Sequence, residues 1–206
     1  MNYLAHAYLS FDHPEVLAGN LISDFVKGKK KFEYSRGIQD GISLHRAIDE
    51  FTDTHRSTIQ AKQLFRPAYG LYAGAFMDIV YDHFLALDRN EFKTEADLAA
   101  FSHRTYGQLE LFIPVFPERF ARMFYYMKKQ DWLFNYRLQE GIRNSFAGLV
   151  RRASYMDDHH PAVMIFEEHY AELKKSYEEF FPELKTFALQ TLQHLQQPNG
   201  LQPGKN

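Results

Sequence analysis

The segment Phe76-Met77-Asp78-Ile79-Val80-Tyr81-Asp82-His83-Phe84-Leu85 places the tightest constraint on how this chain can fold. Wound as a helix it is apolar in almost every direction, and a helix that is hydrophobic all round belongs in a protein interior. Asp78 and Asp82 then leave one side of it together, because residues four apart differ by only about 40° around the axis. Two carboxylates on a buried helix repel each other and lose hydration, so they require a cation or dense hydrogen bonding. The alternative to a cation is that the pair caps a neighbouring helix or meets an arginine.

Helical periodicity extends along nearly the whole chain. It predicts helices over 2–10, 14–27, 35–54, 57–67, 70–88, 95–112, 117–128, 130–152 and 161–194. Breaks are expected at Pro14, at Gly28-Lys29-Lys30-Lys31, and at Pro67, Pro114, Pro117 and Pro161, and Pro182 should kink or split the last helix. Val and Ile are scattered and no two-residue hairpin joins alternating runs, so strand signals are poor. The expected fold is all-α: a single-domain helical bundle over 1–196, followed by a disordered tail over 197–206 with Pro198, Asn199, Gly200, Pro203 and Gly204. The length of 206 residues allows one real core, which 19 Phe and 13 Tyr should make bulky. A formal charge of −2 offers no bulk argument for nucleic-acid binding. The lack of Cys excludes disulfides and thiolate metal sites. The N-terminus shows no basic leader and no long apolar run, so neither a signal peptide nor a membrane span is expected, and a cytoplasmic location is.

Two further polar pairs share the spacing of four. His45 and Asp49 lie together beside the apolar face formed by Leu44, Ala47, Ile48 and Phe51, and Asp53 continues the acidic row. A His and a carboxylate so placed can ligate one metal, or form a ligand with its orienting partner; alone, they read better as an exposed helical pair. Asn20 and Asp24 edge the apolar face of Leu21, Ile22, Phe25 and Val26, where two side chains simply facing water are the simpler account. His6, between Ala5 and Ala7, is a further candidate, although a lone His on an apolar face is more often a core residue. The joint pattern shifts the balance. His6, Asp24, His45, Asp49, Asp78 and Asp82 together form a mixed imidazole and carboxylate set that suits Mn, Fe, Mg or Zn in a helical bundle.

At these segments the sequence resembles the acyl carrier protein phosphodiesterase family, a divergent branch of the HD-type metal phosphohydrolases. The matching pieces are Met1-Asn2-Tyr3-Leu4-Ala5-His6, Gly19-Asn20-Leu21, Asp24-Phe25-Val26-Lys27-Gly28, Gly41-Ile42, His45-Arg46, Ile48-Asp49, Thr52-Asp53 and Asp82-His83-Phe84-Leu85. Weaker matches follow at Trp132-Leu133, Tyr136-Arg137, Arg151-Arg152 and His169-Tyr170. The resemblance implies an HD-domain-like helical fold and a divalent cation, commonly manganese. It implies hydrolysis of the phosphodiester joining 4′-phosphopantetheine to a serine of an acidic acyl carrier protein. One departure is that the chain has Asp82-His83 where HD enzymes have a His-Asp dipeptide.

On this reading Asp24, His45, Asp78 and Asp82 are the preferred metal ligands, with Asp49 and His6 in or just behind the ligand set. Such a metal polarises a phosphoryl oxygen and lowers the pKa of bound water. Arg46 and Lys27 are candidate catalytic cations for phosphoryl charge. His83 is a third catalytic candidate, but it points about 100° away from Asp82 and so belongs beside the ligands or in the core. Asn20, Lys29, Lys30 and Lys31 are candidate substrate-binding residues, the lysines for an acidic partner, in preference to Arg151 and Arg152. Asp82→Asn is expected to abolish hydrolysis in a folded protein, with stability unchanged or raised. The rival functions are an HD-like hydrolase of a nucleotide or other small phosphodiester, and a non-enzymatic helical adaptor whose acidic pairs are structural.

Overall fold

The buried helix foreseen at residues 76–85 forms the centre of the molecule. In the computed structural model it is α5 (Ala73–Leu87), and Phe76, Met77, Val80, Tyr81, Asp82 and Leu85 on it have no exposed surface. Residues 1–153 and 156–197 are described, and among them the chain forms eleven α-helices and no strand. Around α5 pack α1 (Tyr3–Tyr8), α4 (Arg56–Tyr69), α9 (Gln139–Arg152) and α11 (Tyr170–Gln196). Next to them α2 (Pro14–Ile22) lies against α3 (Arg36–Thr54), and α11 also crosses α3. The remaining helices are α6 (Glu95–Glu110), α7 (Glu118–Lys129), α8 (Trp132–Asn135) and α10 (His160–Glu168). The aromatic content does form the core: Phe65, Phe76, Phe146 and Phe166 interlock with centroids 5.3 to 6.3 Å apart.

Four expected boundaries move. The second helix stops at Ile22, and Ser23–Phe25 continues as a single 3-10 turn before Val26 becomes extended. Asp24 therefore sits on a turn rather than one helical turn beyond Asn20. The helix expected over 130–152 divides at Leu138, whose extended backbone (φ −99°, ψ 140°) separates α8 from α9. The last helix divides at His169, not at Pro182, which lies inside α11. Proline there frees the carbonyl of Glu178, an exposed residue whose backbone water can reach. Pro67 likewise stays within α4, and the chain turns at Gly70, which has φ +52°. The expected tail lies outside the described residues apart from Gln197.

The contact that matters most for the site is between α2 and α3. A Cβ added at Gly41 would stand 2.2 Å from the Val16 carbonyl oxygen, and one at Gly19 would stand 2.1 Å from that of Ile38. Only glycine lets the two backbones meet this closely, and their approach carries the turn holding Asp24 up to His45. Gly41→Ala should cost about 3 kcal/mol, at the upper end of overpacking effects, because the clash is with rigid backbone. Gly107→Ala, whose Cβ meets nothing within 4 Å, should be neutral or slightly stabilising. Equal urea midpoints for the two variants would show that α2 and α3 do not depend on that contact.

Candidate metal centre

Four segments deliver polar groups to one place beside α5. From α1 comes His6, with 3% of its side chain exposed; from α3 come His45 at 8% and Asp49 at 40%. The turn after α2 adds Asp24 at 71%, and α5 adds Asp78 at 33%. The histidines thus form the floor and the carboxylates the rim. The two imidazoles stack with centroids 4.0 Å apart. His45 Nε2 is 3.2 Å from Asp24 Oδ1 and 3.1 Å from Asp49 Oδ2. His6 Nε2 is 3.2 Å from Asp49 Oδ1, yet neither ring nitrogen of His6 has a hydrogen-bond partner among the described residues. The α-ammonium of Met1 donates to Asp78 Oδ1 at 3.0 Å and to Asp49 Oδ1 at 3.4 Å.

These groups control each other's protons. The His45 ring is pulled down by burial, but its hydrogen bonds to Asp24 and Asp49 win and hold it up at about 9. Burial dominates at His6, and the charge on His45 adds to it, lowering that ring to about 4. The hydrogen bond from His45 depresses Asp24. Burial alone would raise Asp49, but His45 and His6 drive it well below the ordinary carboxylate range. Asp78 is raised by burial, with the Met1 ammonium opposing. That ammonium, which burial alone would lower, is raised to about 10 by Asp78 and Asp49.

The donors fit a divalent cation. One ring nitrogen from each of His6 and His45 and one Asp49 oxygen lie within 4.8 Å of one another, and neither nitrogen of the buried His6 ring makes a hydrogen bond among the described residues. Nitrogen and oxygen donors on one octahedral cation, at bonds of about 2.1 Å, stand about 3 Å apart, close to the spacing present. Buried neutral imidazole beside carboxylate is also the donor chemistry of Mn, Fe and Zn sites.

Other expected site residues are placed differently. Both oxygens of Asp82 accept backbone N–H groups at the start of α1, Oδ2 from Leu4 at 2.7 Å and Oδ1 from Ala5 at 3.2 Å and Asn2 at 3.3 Å. Asp82 is thus the cap of a neighbouring helix, and its lone pairs are committed there rather than to a cation. Burial raises its pKa to about 7 against those hydrogen bonds. His83 is buried among Phe84, Phe166 and Tyr170, bonded through Nδ1 to the Tyr136 carbonyl at 2.7 Å and through Nε2 to the Tyr170 hydroxyl at 3.1 Å. The aromatic core, not the cluster, holds it.

Asn20 has no exposed surface; its amide donates to the His6 carbonyl at 2.9 Å and to Ser10 Oγ at 3.1 Å, so it positions His6 instead of meeting substrate. Asp53 is paired with Lys62 at 2.9 Å. Lys31 donates to Ser43 Oγ at 2.7 Å, which leaves Lys27, Lys29 and Lys30 as the exposed lysines of that segment. Arg46 is exposed and donates to the Val26 carbonyl at 3.3 Å. Sequence reasoning missed the Met1 ammonium, for which periodicity carries no signal.

The comparisons with known proteins agree with one another. The profile of the acyl carrier protein phosphodiesterase family matches residues 1–184. A protein named acyl carrier protein phosphodiesterase from Photorhabdus laumondii is 34% identical over 182 residues, covering 88% of this chain and 92% of its own. Proteins of the same name from an Enterobacter species and from Salmonella paratyphi A are 31% and 30% identical, each covering 89% of this chain and 95% of their own. No solved structure matches. The chain is a phosphodiesterase, and it belongs to the acyl carrier protein phosphodiesterase family. Among the described residues no helix is long and apolar enough to cross a membrane.

The committed lone pairs of Asp82 reverse the expectation for its amide. Asn offers one carbonyl oxygen and turns an NH2 toward an N–H of α1, so Asp82→Asn should lose about 1–3 kcal/mol of stability in chelator. The loss is read by denaturant titration. If Asp82→Asn were as stable as wild type, the capping role would be refuted.

Proposed function

We propose that the protein is a metal-dependent hydrolase of the phosphodiester linking 4′-phosphopantetheine to a serine of acyl carrier protein. The observation that carries this is the buried, unpartnered His6 ring converging with His45 and Asp49, in a chain whose relatives bear that substrate in their names. His6, His45 and Asp49 would hold the cation, with Asp24 and Asp78 at its edge. Mn²⁺ is the candidate, with Mg²⁺, Fe²⁺ and Zn²⁺ as alternatives compatible with these donors. When bound it supplies Lewis acidity at a phosphoryl oxygen and a more acidic water.

The chain's own groups do the rest. Asp78, part-exposed beside the cluster and raised by burial, is placed to take the proton of the attacking water. The water oxygen bonds to phosphorus as the bond from phosphorus to the serine oxygen breaks. The serine oxygen then takes up a proton, leaving apo carrier protein and the 4′-phosphopantetheine monoester. Arg46 and Lys27 add positive charge at the rim for the phosphoryl oxygens. An HD-like arrangement of the helices is compatible with this chemistry.

Incubating Mn²⁺-loaded protein with holo carrier protein should convert it to the apo mass. Chelation should stop the conversion, and Asp49→Asn should slow it at least about 100-fold. Full activity after exhaustive chelation would remove the metal, and an unchanged carrier mass would remove the substrate.

Lys27, Lys29 and Lys30 follow Asp24 directly and face solvent, so they are the docking charges for an acidic partner. Rim charges act mainly on encounter rate and are screened by salt. Reversing Lys29 and Lys30 to Glu should lower kcat/KM on carrier protein about tenfold at low ionic strength and little at high. A small phosphodiester should be hydrolysed as before. No change on carrier protein would place docking elsewhere.

A further inference from the structure

A cavity of about 750 Å³ opens beside the cluster, within the range of small-molecule sites. Its lining adjoins the candidate metal centre along the chain at two places. Met1 touches Asp49 and Asp78, while the next two residues, Asn2 and Tyr3, line the cavity. On α5, Asp78 holds the Met1 ammonium at the cluster and its neighbour Ile79 lines the cavity. The Tyr3 hydroxyl donates to Met123 Sδ at 3.2 Å, another residue of the cavity wall. The start of the chain thus runs from the cluster at Met1 to the cavity at Asn2 and Tyr3.

The wall has a distinct composition. Tyr3, Trp132 and Tyr136 present aromatic surface, and Tyr3 and Trp132 lie with ring centroids 6.3 Å apart. Asn135, Asn144 and Ser145 offer amide and hydroxyl groups, and Arg151 and Arg152 close α9 with two guanidinium groups. A wall of aromatic rings, amide and hydroxyl groups and two guanidinium groups, with one carboxylate at Glu140, suits a ligand that is flexible, amide-bearing and anionic at one end. Neither a bare phosphate nor a lipid chain has all three properties, whereas a phosphopantetheine arm does. Its methylenes and methyl groups suit the aromatic face, its two amides suit the Asn and Ser groups, and its phosphate suits Arg152 near Tyr3.

We infer that this cavity, formed by the start of α1 with α8 and α9, is the subsite for the pantetheine arm. Its junction with the candidate metal centre sets the scissile phosphodiester beside His6 and Asp49. The inference rests on the proposed hydrolysis and adds the residues that select the arm on the phosphoryl group. Arg151 and Arg152 then act on the arm, while the exposed lysines after Asp24 act on the protein that carries it.

Gly148 gives a clean test. It lies in α9 on the cavity wall, and a Cβ there meets only the Arg151 guanidinium at 3.8 Å. Gly148→Leu therefore fills cavity space without a backbone clash, and replacing a helix-interior glycine favours the helix. Two readouts are needed: kcat/KM on holo carrier protein, and calorimetric binding of 4′-phosphopantetheine itself. Both should weaken at least about tenfold in Gly148→Leu and in Arg152→Ala. In Gly148→Leu, hydrolysis of bis(p-nitrophenyl) phosphate, which has no arm to seat, should hold within about twofold. Gly148→Ser is the conservative control and should retain both carrier turnover and arm binding. Wild-type turnover of carrier protein with undiminished turnover and arm binding in Gly148→Leu would overturn the subsite and leave the proposed function standing. No turnover of carrier protein by wild type would overturn both. Parallel loss on the small diester would show damage to the metal centre and would also overturn the assignment.

Discussion

The site depends on the bond between a buried carboxylate and the end of a short helix. The six residues of α1 are too few to form a stable helix alone. Its first N–H groups have no partners within the helix, and Asp82, from the centre of the core, accepts three N–H groups at or beside that end. Negative charge at a helix N-terminus also meets the positive end of its dipole. The carboxylate fixes where α1 starts, and one turn later the helix presents His6 over His45. Asn20 secures the far end by bonding the His6 carbonyl. The position of the His6 ring is thus set by contacts at both ends of α1, neither of which is a ligand.

The second determinant is steric. The Gly19 and Gly41 approach presses α2 against α3, and the chain then leaves α2 through a tight turn that turns Asp24 toward His45. A regular helix through residue 27 would have kept Asp24 directly above Asn20, which is buried. Ending α2 at Ile22 lets Asn20 point inward and Asp24 outward. One residue supports His6 and the other borders the open rim.

The sequence makes the helical class legible because its apolar period is sustained, and α3 shows how far that goes. His45 and Asp49 do share a face and do meet, as a spacing of four requires. The same rule correctly puts Asp78 and Asp82 on one side of α5, but periodicity names a direction and not a partner. One of the two reaches the rim and the other a helix end, and only the placement of α1 decides which. His6 was harder still, since nothing local distinguishes a stacked, unpartnered imidazole from an ordinary core histidine. His83, which has that ordinary role, is bonded at both nitrogens. The difference between the two lies in long-range hydrogen bonding that no window of sequence contains. Helix ends erred for a related reason. A 3-10 turn at Ser23–Phe25 and an extended residue at Leu138 preserve burial while breaking the period, and Pro182 breaks a local rule on a face where water can reach the freed carbonyl.

The charge balance at the cluster links the fold to the proposed chemistry. Asp24, Asp49 and Asp78 bring negative charge to the floor formed by His6 and His45, and protons answer it. His45 is held protonated to about 9 and the Met1 ammonium to about 10, both against the pull of burial. Positive charge concentrated here therefore stabilises the arrangement of α1, α3 and α5. His45 and Met1 supply it from the chain, while His6, kept neutral, leaves a donor nitrogen that carries no proton to displace. A cation binding at His45 would have to expel a proton there but not at His6. The two stacked rings thus do unlike things: His6 offers a ready lone pair, and His45 ties the site's affinity for a cation to pH. The asymmetry comes from their neighbours, since His45 faces two carboxylates and His6 only one.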